Sequence, residues 1–168
     1  MFFKFFFIIL QLENKQKFFQ TKKKEKKMET TTIISQFRTK GLTFTNGRHH
    51  YYGDLVINND ADIWDNVVIH GDLVVAGNLT SHGRIICLGN IQVGGDFTAA
   101  RNIIANNIAV GGRFGCYANV RIKSLKVGSY FWVDGNLHVM GNVSAQDTST
   151  VHGWMKANAV DGDVLVDK

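Results

Sequence analysis

Proline is absent from this chain of 168 residues, so every tight turn has to be built without a ring-locked φ. Cysteine is almost absent too. Cys87 and Cys116 alone can make neither a disulfide framework nor a four-ligand zinc site. Long apolar runs are missing: MFFKFFFIIL spans residues 1 to 10 and is broken by Lys4, whereas a bilayer-spanning helix needs about 18 to 20 apolar residues. Excess charge is missing from the body. Residues 1–27 hold eight of the 19 Lys and Arg and two of the 14 Asp and Glu, which leaves 11 basic against 12 acidic residues in 28–168. A near-neutral body lacks the basic stripe that tracks a phosphate backbone, so no nucleic-acid partner is expected.

What is plentiful is glycine, 17 residues, in a body of one-domain length. The leader 1–27 differs from that body in composition. It has no small-residue cleavage site after its apolar stretch, which speaks against secretion. Two readings stay open for it. Phe2, Phe3, Phe5, Phe6 and Phe7 can insert at an interface while Lys22, Lys23 and Lys24 meet anionic headgroups, or translation starts at Met28 and the leader is upstream sequence. Residues 28–50 read as a lead-in or cap.

The body repeats itself. Apolar triplets start at Leu55, Ala61, Val67, Leu73, Leu79, Ile85, Ile91, Phe97 and Ile103, a step of six, then at Ile108, Phe114, Val120, Leu125, Phe131, Leu137 and Val143, with two steps of five. Within each unit the first and third residues are apolar or small, the alternation of a short strand with one face inward. Gly followed by Asn or Asp then breaks the unit, as at Gly77-Asn78 and Gly95-Asp96, and both residue types tolerate positive φ at a corner.

Residues three units apart fall into like columns. One column reads Leu55, Leu73, Ile91, Ile108, Leu125, Val143; a second Ala61, Leu79, Phe97, Phe114, Phe131; a third Val67, Ile85, Ile103, Val120, Leu137. Phe97, Phe114 and Phe131 in one register predict an internal aromatic stack. Asn66, Arg84, Asn102, Asn119 and Asn136 at one corner predict a ladder of side-chain amides. The expected fold is all-β: a single-domain triangular parallel β-helix over residues 51–150, with 17 to 18 residues per coil and five to six coils. Residues 151–168 lose the period and read as a C-terminal cap or tail, with Trp154 and Met155 closing that end.

The run from Leu55 to Val143, including HGDLVVAGNLTSHGRIICLGNIQVGGDF and VDGNLHVMGNV, resembles the bactofilins, bacterial polymer-forming cytoskeletal proteins. That resemblance implies a right-handed triangular core that joins end to end into filaments without bound nucleotide, often tethered to a membrane by a short N-terminal segment. The chain departs from the family in having no proline-containing tails and in its aromatic content, with Trp64, Trp132 and Trp154.

The function expected is a non-enzymatic scaffold, without cofactor or metal, whose partner is itself. Its expected location is cytoplasmic, peripheral to a membrane if the leader inserts. Leu55 and Ile57 at one end and Leu137, Val139 and Val143 at the other are the expected end-to-end contacts. Val56 and Val74 on one wall, with Val68, Ile86 and Ile104 on another, form an expected lateral apolar patch, which the segment 30–50 or a second rod could cover. A non-polymerising recognition or spacer module is the alternative. Hexapeptide-repeat acyltransferases also step by six, but they keep a strict 18-residue coil with one buried aliphatic per unit and need a protruding loop for a catalytic histidine. His70 and His82 sit at different edges and His138 is the outward middle residue of its strand, so all three read as solvated, and His49-His50 adds no metal geometry.

Overall fold

In the computed structural model, residues 31–34 and 40–167 are described. The leader residues Phe2, Phe3, Phe5, Phe6, Phe7, Lys22, Lys23 and Lys24 lie outside them. Every regular element among the described residues is a β-strand of two to four residues. The strands stack into three sheets of seven, eight and eight, the walls of a triangular prism. The wall containing Leu55–Ile57 is called first, that of Ala61–Ile63 second and that of Val67–Ile69 third. This makes about seven coils, slightly more than the sequence indicated.

The register follows the side-chain columns. Leu55 lies beside Leu73, Ala61 beside Leu79 and Val67 beside Ile85, with every pairing between successive coils parallel. The first and third residues of each apolar triplet from Leu55 to Ala145 point inward because the pleat alternates, and they are nearly fully buried in the middle coils. Phe97, Phe114 and Phe131 are all 0% exposed and stand in register. The Phe97 and Phe114 ring centroids are 5.3 Å apart at a 45° tilt. Where a coil shortens to 17, at Ile91 beside Ile108, the loss falls in the corner after the third wall. The next strand compensates by starting one residue early, at Asn107.

The corners are held by ladders of a kind the sequence only half revealed. The Oδ1 of Asn66 accepts the backbone N–H of Arg84 at 2.8 Å. Asn119 and Asn136 repeat the contact onto Asn136 and Trp154 at 2.8 and 3.1 Å. Amide thus bonds to the backbone of the next coil, not to the next amide. The same device runs along the other two corners through Asp54, Asp72, Asp60, Asn78 and Asp96.

The repeated glycines serve a different end from the one expected. Between Leu55 and Lys156 no glycine has positive φ. A Cβ on Gly89 would collide with the Asp72 carboxylate and stand 2.7 Å from the carbonyl oxygen of Gly71. Glycine is there because successive coils approach too closely for a side chain.

Both terminal segments add strands. Thr32–Ile34 extends the second wall in parallel, and Arg48–Tyr51 extends the third. Leu42–Thr45 then folds back antiparallel on Arg48–Tyr51 through Asn46 and Gly47 at φ 52° and 73°, the two-residue Asn-Gly hairpin turn. The described part of 28–50 therefore lengthens the rod at its end and does not fold back along its side. At the other end, the described part of the segment 151–168, expected as a cap or tail, is stacked strand. Met155–Lys156, Ala159–Asp161 and Val164–Val166 continue all three walls. The period was hidden because the last corner is cut short: Ser149 lies beside Val164, and Gly162 takes φ 118° to make the tighter turn.

Candidate functional site

The two ends of the prism differ in how much of the core they leave open. Leu137, Val139 and Val143, expected at the C-terminal end, lie one coil inside it. Met155 lies beside Leu137 and Val160 beside Val143, and all three expected contacts are buried. The outermost inward-pointing positions are Met155, Ala157, Val160, Val164 and Val166. Val160 is 45% and Val166 44% exposed, against 1% for Val143 and 0% for Val151 one coil in. Their strands have one edge without a neighbouring strand among the described residues.

The N-terminal end is closed more tightly. Leu55 and Ile57 do belong to the outermost strand of the first wall, yet they are only 7% and 5% exposed. Ile34 is buried beside them, and Leu42 and Tyr51 pack on the same core. The hairpin sets Phe44 against His49 with ring centroids 4.8 Å apart.

The lateral patch is discontinuous. Val56 is 61% and Ile104 41% exposed, but Val68 is buried at 6%, while Val74 and Ile86 are half-buried. His50, Val68, Ile86 and Ile104 share one outward row of the third wall, so Val68 has a neighbour on either side along the stack.

The histidines make pairs, and no group of three or more His, Cys, Asp or Glu is placed to hold a metal among the described residues. His50 Nδ1 and His70 Nε2 are 3.0 Å apart, with Tyr52 stacked on His70 at 4.2 Å. His82 stacks on Trp64 at 4.2 Å and 19°. Asp62 reaches both rings of the latter pair: the Trp64 indole N–H donates to its Oδ2 at 3.0 Å, and its Oδ1 lies 3.1 Å from His82 Nε2. Cys87 and Cys116 are free and buried on different walls. Burial pushes each thiol up to about 11, which leaves them protonated and unreactive near neutrality.

A site that sequence reasoning missed lies along the corner between the second and third walls. A groove of about 640 Å³ is lined there by Arg48, Trp64, Asp65, His82, Arg84, Arg101 and Tyr117, among others. The signal was present in the column Asn66, Arg84, Asn102, where one arginine replaces an amide. A shallower, more apolar groove of about 490 Å³ crosses the first wall over Val74, Gln92, Ala109 and Lys126.

No protein-family model matches the chain, and neither a curated protein nor a solved structure matches it.

Proposed function

We propose that the protein is a non-catalytic structural module, a rigid rod that associates with its own kind through an end face, in the manner its bactofilin-like repeat suggests. The observation that carries this reading is the C-terminal face, where Val160 and Val166 leave nearly half their surface to solvent beside three strand edges. Such a face joins two unmet needs, apolar area and unpaired backbone groups, and a second solenoid end satisfies both at once. No cofactor enters.

The hairpin at the other end favours a closed pair over an open filament. A head-to-tail stack has to set parallel edges against the antiparallel strand Leu42–Thr45, and among the described residues the first wall is one strand shorter than its neighbours there. Two C-terminal faces meet without that obstacle. A two-fold axis across the rod reverses the sense in which the strands circulate, so all the new pairings would be antiparallel, a geometry that parallel-stacked coils can donate to and accept from.

Light scattering after gel filtration of the full chain, with negative-stain images of the same fractions, tests the proposal. A concentration-dependent dimer, seen as a rod of double length, is the expected result. Filaments would support end-to-end assembly but overturn the blocking role of the hairpin. A strict monomer at all concentrations would overturn the self-association.

A further inference from the structure

We infer that the groove between the second and third walls binds an acidic carbohydrate, a chain of sugar rings carrying carboxylates. The inference is independent of the end-face reading, because the groove spans the corner of the first several coils and the C-terminal face lies beyond it.

Three observations converge. The first is a gap in a ring ladder. The residue that follows each second-wall strand is Trp64, His82, Ala100 and then Tyr117, stacked by the register of Ile63, Ser81, Ala99 and Cys116. Trp64 and His82 stack face to face, as described, and Ala100 leaves the next rung without a ring. Successive rungs stand about 4.8 Å apart, so the vacancy between His82 and Tyr117 has the thickness of one ring, open to solvent on its outer side. Trp64 and Tyr117 remain 55% and 57% exposed, although His82 covers one face of Trp64 and Tyr117 meets Trp132 edge-on at 6.3 Å.

The second is unspent positive charge. Arg113, outside the groove, is committed to Asp96 at 2.6 Å. Arg48, Arg84 and Arg101 line the groove and have no ion pair or hydrogen bond from their guanidinium groups among the described residues. Arginine presents a planar fork matched to a carboxylate. Three such forks around one concavity fit an anion on the ligand better than three accidental surface charges.

The third is the remaining polar lining. Asn66 and Asn102 spend Oδ1 on the backbone N–H of Arg84 and Asn119 at 2.8 and 3.1 Å, which leaves each Nδ2 to donate outward. Asp65 supplies an acceptor beside them. Donors, one acceptor and exposed ring faces together match hydroxyls and the apolar face of a sugar. A nucleic-acid strand fits less well: the body is near neutral, and Asp62 and Asp65 flank the stacked rings where phosphates would have to run. Because the groove is open along one side, it suits a chain lying across the coils.

The test uses the full chain, with tryptophan fluorescence and titration calorimetry. The probes are a short oligogalacturonate, the same oligomer with its carboxyls methyl-esterified, and a single-stranded oligothymidylate. The expected result is binding of the acid form that weakens with salt, with the ester weaker by about tenfold or more. Arg84→Ala and Trp64→Ala should each weaken the acid form by a similar factor, while Lys126→Ala on the first wall leaves it unchanged. Ala100→Trp fills the empty rung at an exposed position. It should abolish binding with the melting temperature unchanged, and it keeps the inference testable if Trp64→Ala does not fold. No binding of the acid form, equal binding of the ester, tighter binding of the oligothymidylate, or full binding by Ala100→Trp would each overturn it. The oligomeric state, read separately, decides the end-face proposal whatever the groove binds.

Discussion

The two ends of this solenoid start from the same problem and finish it differently. At the N-terminal end a strand, a hairpin and three packed side chains reduce the exposure of Leu55 and Ile57 to 7% and 5%. At the C-terminal end the last described coil leaves Val160 and Val166 at 45% and 44%. Both ends belong to one apolar column of stacked residues, so the difference lies in what is laid over the column and not in the column itself. A repeat protein needs a polar or folded-back element wherever stacking stops, and the hairpin at the N-terminal end is such an element. At the other end the corresponding places hold valine, leucine and methionine.

The largest expected effect tests whether the two ends share that column. Phe114→Ala removes the middle ring of the Phe97, Phe114, Phe131 stack and leaves a cavity that flanking coils cannot collapse into, because their ladders fix the rung spacing. A loss of about 3 to 5 kcal/mol in denaturant unfolding is expected. If the core is continuous, hydrogen exchange speeds up at both ends; exchange that rises on only one side would mean the rod is two cooperative units.

Second comes an alkaline loss from the middle of the rod. The Cys87 and Cys116 thiols are raised from 9.0 to about 11 by burial. Because the folded state holds these protons more tightly than the unfolded one, their contribution to stability is fully present below pH 9 and is lost as pH rises through 11. Each shift corresponds to roughly 2 to 3 kcal/mol. The paired Cys87→Ala and Cys116→Ala variant should flatten this part of the pH curve. At neutral pH a small alkylating reagent should label either thiol no faster than the whole rod unfolds. Rapid labelling of Cys116 alone would show that the open end frays deep into the stack.

The columns were legible in sequence because stacking imposes like beside like. A step of six residues, repeated with phenylalanines three units apart, has no helical explanation, and the strand registers follow it unit by unit. What escaped was everything that depends on how coils meet. Corner glycines looked like turn formers, but Gly89 is required by the carbonyl of the coil beneath it, a contact between residues 18 apart. The last coil hid behind one shortened corner at Gly162. The Asn46-Gly47 turn is a local signal, and it was there to be read between the residues of Leu42–Thr45 and Arg48–Tyr51. The ladder within the groove runs over Trp64, His82, Ala100 and Tyr117, which only the register brings together, and Ala100 matters for what it lacks.

Third in size is the cap itself. Gly47 sits at φ 73° with open space around it, so Gly47→Ala meets no neighbour and pays only the backbone strain of a left-handed residue, about 1 to 2 kcal/mol. The hairpin should loosen and the melting temperature fall by a few degrees. If the hairpin is what blocks stacking at that end, the variant forms species longer than a dimer in light scattering. An unchanged size distribution would assign the block to something other than the hairpin.

The smallest effect on stability is expected at the open end, and it is the one that separates an interface from an unfinished core. Val160 and Val166 gain little from burial in the isolated chain, since nearly half of each is already in water. Lysine at either position can lay its methylene stem along the residual apolar surface and keep the ammonium in solvent. The double variant Val160→Lys and Val166→Lys should therefore unfold within about 0.5 kcal/mol of the parent chain. Its self-association should nonetheless disappear, because two copies would bring four ammonium groups into one small contact. If these valines were buried mainly to complete the last coil, the order reverses: the variant loses stability by more than about 1 kcal/mol and keeps its size. Unfolding and light scattering on the same preparation thus distinguish a face made for another copy from a rod that merely ends.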